Sequence, residues 1–308
     1  MYVGFDIGGT TIKYGVVDEV GNILEKSSIA TNYDKTAFYN DLVSIIEDAQ
    51  QRYTIKGVGI SAPGVVQKDG YMLTAGAIRP LYGENFKVVL EARTGLPVTV
   101  ENDANAVAIA EKWIGNAQDF DNYLCLVLGT GVGGGIVING QVYRGAHGMA
   151  GEFGWTVIKD LPATGDIEEV SVNKKTAVAG GLVKLYNKAL QLKNPQAERL
   201  NDAREIFQLA EAGDVLAEEI TRQFYLDLAV CLINLISCFD PEAILLGGGV
   251  SSNEIFHRRL QETLVEVESR HESINALRGK TIAPVISTNL KNDAGLIGAV
   301  YQIHQLMK

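Results

Sequence analysis

Residues 124–140 read LCLVLGTGVGGGIVING, an apolar strand, a Gly/Thr turn and a second apolar strand. The chain has already made that pattern once, in VGFDIGGTTIKYGVV at residues 3–17. A hairpin unit recurring about 120 residues later is an internal repeat, and repeats reveal architecture more reliably than single motifs. The repeat predicts two similar α/β halves. Each presents a glycine-rich hairpin to the other, an arrangement that would clamp the phosphates of a nucleotide. Glycine turns of this kind let the backbone approach an anion closely, and Lys13 adds positive charge at the first one. Neither turn is a Walker A loop, because G-x-x-x-x-G-K-[ST] is absent.

Between the two hairpins lies V-E-N-D-A-N, Val100 to Asn105. An apolar strand end (Val98, Val100) runs into Glu101, Asn102 and Asp103, and helical sequence follows from Ala104 to Trp113. A carboxylate there is held at the edge of a sheet, where ligands of open α/β folds bind. Asp103 can take a proton from a hydroxyl within hydrogen-bond reach, and Asn102 can fix a second hydroxyl. On local grounds alone, either residue could simply cap the helix.

Other elements follow from periodicity. Phe38, Leu42, Ile45, Ile46 and Ala49 mark one face of a helix between Thr36 and Tyr53. Val58 to Ser61 is a buried strand opening into Ser61-Ala62-Pro63-Gly64, Thr74 to Arg79 is a small-residue loop, and a helix covers roughly Phe86 to Thr94. Glu152 sits among glycines and aromatics in A-H-G-M-A-G-E-F-G-W, as an exposed turn carboxylate or a site group. Residues 196–211 suit a helical lid or a helix pair. Leu216, Ile220, Phe224, Leu228, Leu232 and Ile236 predict a long core helix that Asp240-Pro241 stops. Strand Ala243 to Leu246 leads through Gly247-Gly248-Gly249 to a helix at Ile255 to Glu268, a strand-turn-helix that suits an anion or adenosine. Val285 marks a last strand, and Asn292-Asp293-Ala294-Gly295 leads a terminal helix.

Composition narrows the classes. The 308 residues are 46% hydrophobic, enough for a large core and two domains, and the net charge is −10. With no basic run, binding to nucleic acid through its phosphates is not expected. Cys125, Cys231 and Cys238 show no C-x-x-C spacing, which suits a reducing cytoplasm and offers neither a disulfide framework nor a zinc cluster. No secretory signal is visible, and the most apolar segment, Leu228 to Phe239, is too short to span a bilayer. The expectation is a cytoplasmic globule without membrane or nucleic-acid partners.

Three glycine turns and one sheet-edge carboxylate suggest phosphoryl transfer from a nucleotide to an alcohol, chemistry done mostly by positioning and charge neutralisation. In that reading Asp103 is the general base. Asp6 holds Mg²⁺ through water. Gly8, Gly9, Thr10, Thr11, Thr130 and Gly131 contact phosphate oxygens.

DIGGTTIK, S-A-P-G, V-E-N-D-A-N, G-T-G-V-G-G-G, A-G-E-F-G and L-G-G-G-V occur in that order across nearly the whole chain. Together they resemble the ROK family of repressors, open reading frames and sugar kinases, within the actin-like ATPase (ribonuclease H-like) α/β fold of two similar domains and a cleft. The resemblance implies an ATP- and Mg²⁺-dependent kinase for a hexose-type sugar, with O6 as the phosphorylated hydroxyl. It places Gly76, Asn102, Asp103 and Glu152 at the sugar and the hairpin turns at the phosphates. It also implies a homodimer, with domains at 1–117 plus 289–308 and at 118–288. Most members continue A-G-E-x-G-H into a Cys-rich zinc loop. Here Trp155 replaces the histidine and no cysteine lies between Cys125 and Cys231, so no zinc is expected. The sequence looks like the zinc-less bacterial β-glucoside kinases, with Trp155 as an apolar platform beside a glycoside. N-acetylmannosamine kinase and glucokinase are the alternatives. A sugar-responsive transcriptional regulator is the rival of another class, disfavoured because the D-I-G-G motif begins at Asp6, ahead of which such regulators carry a helix-turn-helix.

Overall fold

The computed structural model describes residues 1–308. Three strands open the chain: β1 (Tyr2–Ile7), β2 (Thr11–Val17) and β3 (Ile23–Ala30). They lead to α1 (Lys35–Arg52), whose N-cap Asp34 accepts from the Ala37 N–H at 2.8 Å. The α1 face buries Phe38, Tyr39, Leu42, Val43, Ile46 and Ala49, as the spacing predicts, although Ile45 is only partly buried. Next come β4 (Gly57–Ala62), buried along its whole length, α2 (Phe86–Thr94), β5 (Val98–Asn102) and α3 (Asp103–Ile114).

The repeat then begins with β6 (Tyr123–Leu128), β7 (Val132–Ile138) and β8 (Gln141–Val142). Helices α4 (Val172–Thr176), α5 (Lys184–Lys193), α6 (Ala203–Glu211) and α7 (Val215–Phe239) follow. β9 (Ala243–Gly248), α8 (Glu254–Arg270), α9 (Glu272–Leu277), β10 (Val285–Ser287) and α10 (Ala294–Leu306) complete the chain.

Strand order makes the duplication literal. One five-stranded sheet runs β3-β2-β1-β4-β5 and the other β8-β7-β6-β9-β10, the same path drawn twice. In both, the strand after the hairpin pairs parallel to the hairpin's first strand, β4 beside β1 and β9 beside β6. Parallel pairing continues to β5 and to β10.

The chain divides into two compact units: Met1–Asp121, Gly135–Gly151 and Asn292–Lys308 form the first, Asn122–Gly134 and Glu152–Lys291 the second. The sequence-based boundaries put all of 118–288 in the second domain. Gly135–Gly151 instead packs with the first, because Gly135 lies against Ala104 and Ala108 of α3 and Arg144 pairs with Glu101.

Two further expectations are corrected. In 196–211 only Ala203–Glu211 is helical, so there is no helix pair there. The apolar core of α7 is short, but the whole helix has 25 residues and is long and apolar enough to cross a membrane. Within its unit it buries Leu216, Phe224, Leu228, Leu232 and Ile236, as a core helix does, while Ile220 stays half-buried.

α10 meets the first unit backbone to backbone. A Cβ on Gly298 would lie 1.8 Å from the Ala106 carbonyl oxygen of α3. One on Gly59 of β4 would lie 2.1 Å from the Ala299 oxygen. Alanine normally improves a helix interior over glycine by about 0.8–1 kcal/mol. At position 298 overpacking wins, because backbone cannot yield as a side-chain tip does. Gly298→Ala is expected to destabilise the protein by about 1–3 kcal/mol or more, read as a lower urea midpoint; an unchanged or raised midpoint would contradict this packing.

Candidate active site

β5 delivers Glu101 and Asn102 to the sheet edge, and α3 begins at Asp103. Asn102 caps that helix: its Oδ1 accepts from the Ala104 and Asn105 N–H groups at 2.9 and 3.1 Å. Its amide donates to the Gly64 carbonyl at 3.0 Å. An amide has two N–H groups, so Asn102 caps the helix through its oxygen while its amide serves Gly64 and the Asp103 carboxylate.

Gly64 itself is pressed against the next loop, where its Cβ would sit 2.3 Å from the Thr74 oxygen. Gly76, at φ +56°, lies on Pro63 and gives its carbonyl to the Tyr82 hydroxyl at 2.7 Å. Asn102, the S-A-P-G loop and the T-A-G loop are therefore stitched together.

Asp103 is partly buried, and one of its oxygens accepts from the Ala104 N–H at 2.8 Å. Burial pushes its carboxyl up to about 6, the Ala104 bond opposes this, and the negative charge of Asp6 adds to the rise. A carboxylate that binds its proton near neutral pH is well matched to general-base work.

Asp6 ends β1. Its Oδ1 accepts from the Ser61 hydroxyl at 3.1 Å, and its Oδ2 faces the Lys13 ammonium at 3.5 Å. The first turn of α10 abuts it, since a Cβ on Gly295 would lie 2.5 Å from Oδ1. A carboxylate at a helix N-terminus is favoured by the helix dipole. One hydroxyl and one ammonium do not make an inner-sphere cage, but they fit an aspartate that holds Mg²⁺ through water.

The hairpin turn beyond is tied down through its carbonyls. Gly8 takes the Thr31 hydroxyl and Gly9 the Tyr33 hydroxyl, each at 2.6 Å, while the side chains of Thr10 and Thr11 are exposed.

In the second unit, the equivalent turn carries Thr130 and Gly131. The Gly129 carbonyl accepts from the N–H groups of Val178 and Ala179, and the Thr130 carbonyl from Gly180. Asn173 Oδ1 holds the Val132 N–H at 2.9 Å and would lie 2.9 Å from a Cβ on Gly131. The same Val178–Ala179 strip forms a cavity of about 770 Å³ with Val183, Leu200, Gly249 and Val250. That is the size of a cofactor site. So the fold brings the Thr130–Gly131 turn and the Gly247–Gly249 turn to one strip of backbone. Gly248, at φ +97°, also lies too close to the Leu128 oxygen (2.1 Å) for any side chain.

Glu152 precedes a helical turn at Phe153–Trp155, where its carbonyl accepts from the Trp155 N–H at 3.1 Å. Trp155 is 51% exposed, a flat apolar surface open to solvent. No group of three or more His, Cys, Asp or Glu side chains converges as a metal site.

With this geometry in view, the relatives decide the family. The chain matches the profile of the ROK family over residues 2–306. The chain belongs to the ROK family. A β-glucoside kinase of Listeria monocytogenes is 37% identical over 303 residues, covering 98% of this chain and 96% of that protein. One from Klebsiella pneumoniae is 36% identical, covering 99% and 96%. Among solved structures, a ROK glucokinase of Streptomyces griseus in complex with glucose and AMPPNP superposes with TM-score 0.79 at 31% identity, covering 98% of each chain. The actin-like fold expected of this ROK protein is thereby established.

Several partners have no signature in the sequence. Tyr33 at Gly9, and Arg144 and Gln302 at Glu101, come from distant segments, whereas Ser61 at Asp6 belongs to the S-A-P-G motif.

The raised proton affinity of Asp103 gives a stability prediction. The folded protein binds this proton more tightly than the unfolded chain, so stability falls as pH rises from about 4 to about 6. Asp103→Asn removes that penalty and is expected to be more stable than the parent at pH 8, by about 1–3 kcal/mol. The advantage should fade as pH drops towards 4; urea melts showing the variant weaker at pH 8 would refute the burial argument.

Proposed function

We propose that this ROK protein is an ATP-dependent kinase that phosphorylates a hydroxyl, O6, of a β-glucoside. The observation that carries the reading is Asp103, a carboxylate raised to about 6 at the sheet edge, beside the helix-capping Asn102. The ionised Asp103 takes the proton of the acceptor hydroxyl as its oxygen bonds to the γ-phosphorus, the bridging P–O bond breaks, and ADP leaves.

Asn102, Gly76 and Glu152 orient the sugar. Gly8 to Thr11, Lys13, Thr130 and Gly131 bind phosphate oxygens through N–H groups, hydroxyls and the ammonium. The Gly247–Gly249 turn reaches, through Gly249, the cavity that takes the adenosine, a role supported by the apolar Val178, Ala179, Val183 and Leu200 in its wall. Asp6 would hold Mg²⁺ through water, and the bound ion would supply charge neutralisation at the phosphates.

Trp155, which stands where a histidine is usual in the family, supports a glycoside over free glucose, because an exposed indole face stacks on sugar or aryl rings. The likeness to the two β-glucoside kinases supports the same choice. Glucose is the second reading, favoured by the S. griseus structure. The protein works as a cytoplasmic homodimer, without nucleic-acid or membrane partners; the buried thiols Cys125 and Cys231 suit such a compartment.

A coupled ADP-release assay with cellobiose, aryl β-glucosides, glucose and N-acetylmannosamine tests the substrate. The expected order puts a β-glucoside first, and a preference for glucose or N-acetylmannosamine would reassign it. In the same assay, Asp103→Asn should lower kcat about 10²–10⁴-fold. Wild-type kcat/KM should fall below pH 6, as Asp103 gains its proton; turnover by the asparagine variant near the wild-type rate would move the base elsewhere.

A further inference from the structure

Glu101 is 4% exposed, and both of its oxygens are fully used. Oε1 accepts from the Asn102 N–H at 3.1 Å and from the Asn105 amide at 3.0 Å. Oε2 accepts from Arg144 Nε at 3.0 Å, from Arg144 Nη2, and from the Gln302 amide at 3.1 Å. A carboxylate offers about four lone-pair sites, so these bonds saturate it and leave nothing for a ligand.

The donors come from separate places. Asn102 and Asn105 flank Asp103, Arg144 follows β8, and Gln302 lies on α10, whose first turn abuts Asp6. One buried charge thus joins the strand end bearing the base to two other segments of the first unit.

The arrangement is not the cheapest the fold could make. Asn105 turns its amide nitrogen to Glu101 and leaves its own Oδ1 buried without a donor. Buried acceptors are rarely abandoned in this way. Ion pairs removed from water are also often replaceable by apolar packing without loss of stability. Geometry at Asn102 and Asp103 explains both features better than cohesion does.

We propose that Glu101 is a positioning residue for the transfer, acting with Arg144 and Gln302 to fix Asn102 and Asp103 against the acceptor. The proposal rests on the reading of Asp103 as the base. Glu101→Gln keeps the shape but removes the charge and turns one acceptor into a donor facing Arg144. Arg144→Met removes the fork from the other side. An ångström of displacement at a reacting group costs on the order of 10²-fold in rate.

The test measures kcat and both KM values at saturating co-substrate, at a temperature where circular dichroism shows each variant folded. Each single variant is expected to lose about 10–100-fold in kcat, with a raised sugar KM and an ATP KM within about twofold of wild type. The double variant should be no slower than the slower single, since both act through one contact. Arg144→Lys should recover part of the loss. Folded variants with wild-type kcat, or losses that multiply in the double variant, would overturn the proposal. Should Glu101→Gln fail to fold, Gln302→Met decides. A kcat lowered at least about threefold with an unchanged melting temperature supports positioning, and an unchanged kcat rejects it. An inactive wild type would remove the kinase reading and this proposal together, whereas an active wild type with an unaffected Glu101→Gln removes this proposal alone.

Discussion

Glycine-mediated contact between α10 and the first sheet is the constraint on which the rest of the first unit depends. Gly4 and Gly15 face Leu296, Gly57 faces Ile303, and Gly59 meets the helix backbone itself. Gly295 and Gly298 do the same from the helix side, towards Asp6 and Ala106. Helices ordinarily pack about 8–10 Å apart with side chains between them. Here the side chains are missing where the backbones meet, and the close approach aligns three things at once. It sets the N-terminus of α10 against Asp6, lays the helix along α3, and brings Gln302 to Glu101.

Two aspartates at strand ends of one sheet, with β4 between their strands, then acquire different environments. Asp6 has the Lys13 ammonium, the Ser61 hydroxyl and a helix N-terminus, all favourable to a fixed negative charge. Asp103 lies in a drier setting, where burial outweighs its hydrogen bonds from Ala104 and Asn102, and its affinity for a proton rises.

Much of the architecture was legible because it repeats or because it is periodic. The Gly/Thr hairpin at residues 3–17 returns at 124–140, and the two sheets follow the same strand order. The apolar stripe of α7 and its Asp240 stop, with φ +42° at the cap, mark that helix in the sequence as clearly as in the structure. Less was legible where local signals conflict. α5 follows a π-helical turn, Val178–Val183, that contains Gly180 and Gly181, residues that read as a loop. The short bridges at Val66–Met72 and Tyr71–Asn85 are too brief for an alternating pattern. At the site, V-E-N-D-A-N stood out as a strand end before a helix start. The partners of its glutamate did not, because Arg144 and Gln302 lie 43 and 201 residues away, and a single sequence carries no sign of such pairings.

The sequence position of α10 has a consequence for biosynthesis. Domains fold as units, and growing chains tend to fold from the N-terminal end. The first unit cannot follow that course, since its own closing helix is Ala294–Leu306. Until the ribosome has made those residues, β1 and β4 expose their glycine-lined face to water. The second unit, whose segments end at Lys291, is by then complete. In a growing chain the segments of the second unit are thus all available before the first unit can receive the helix that closes its sheet.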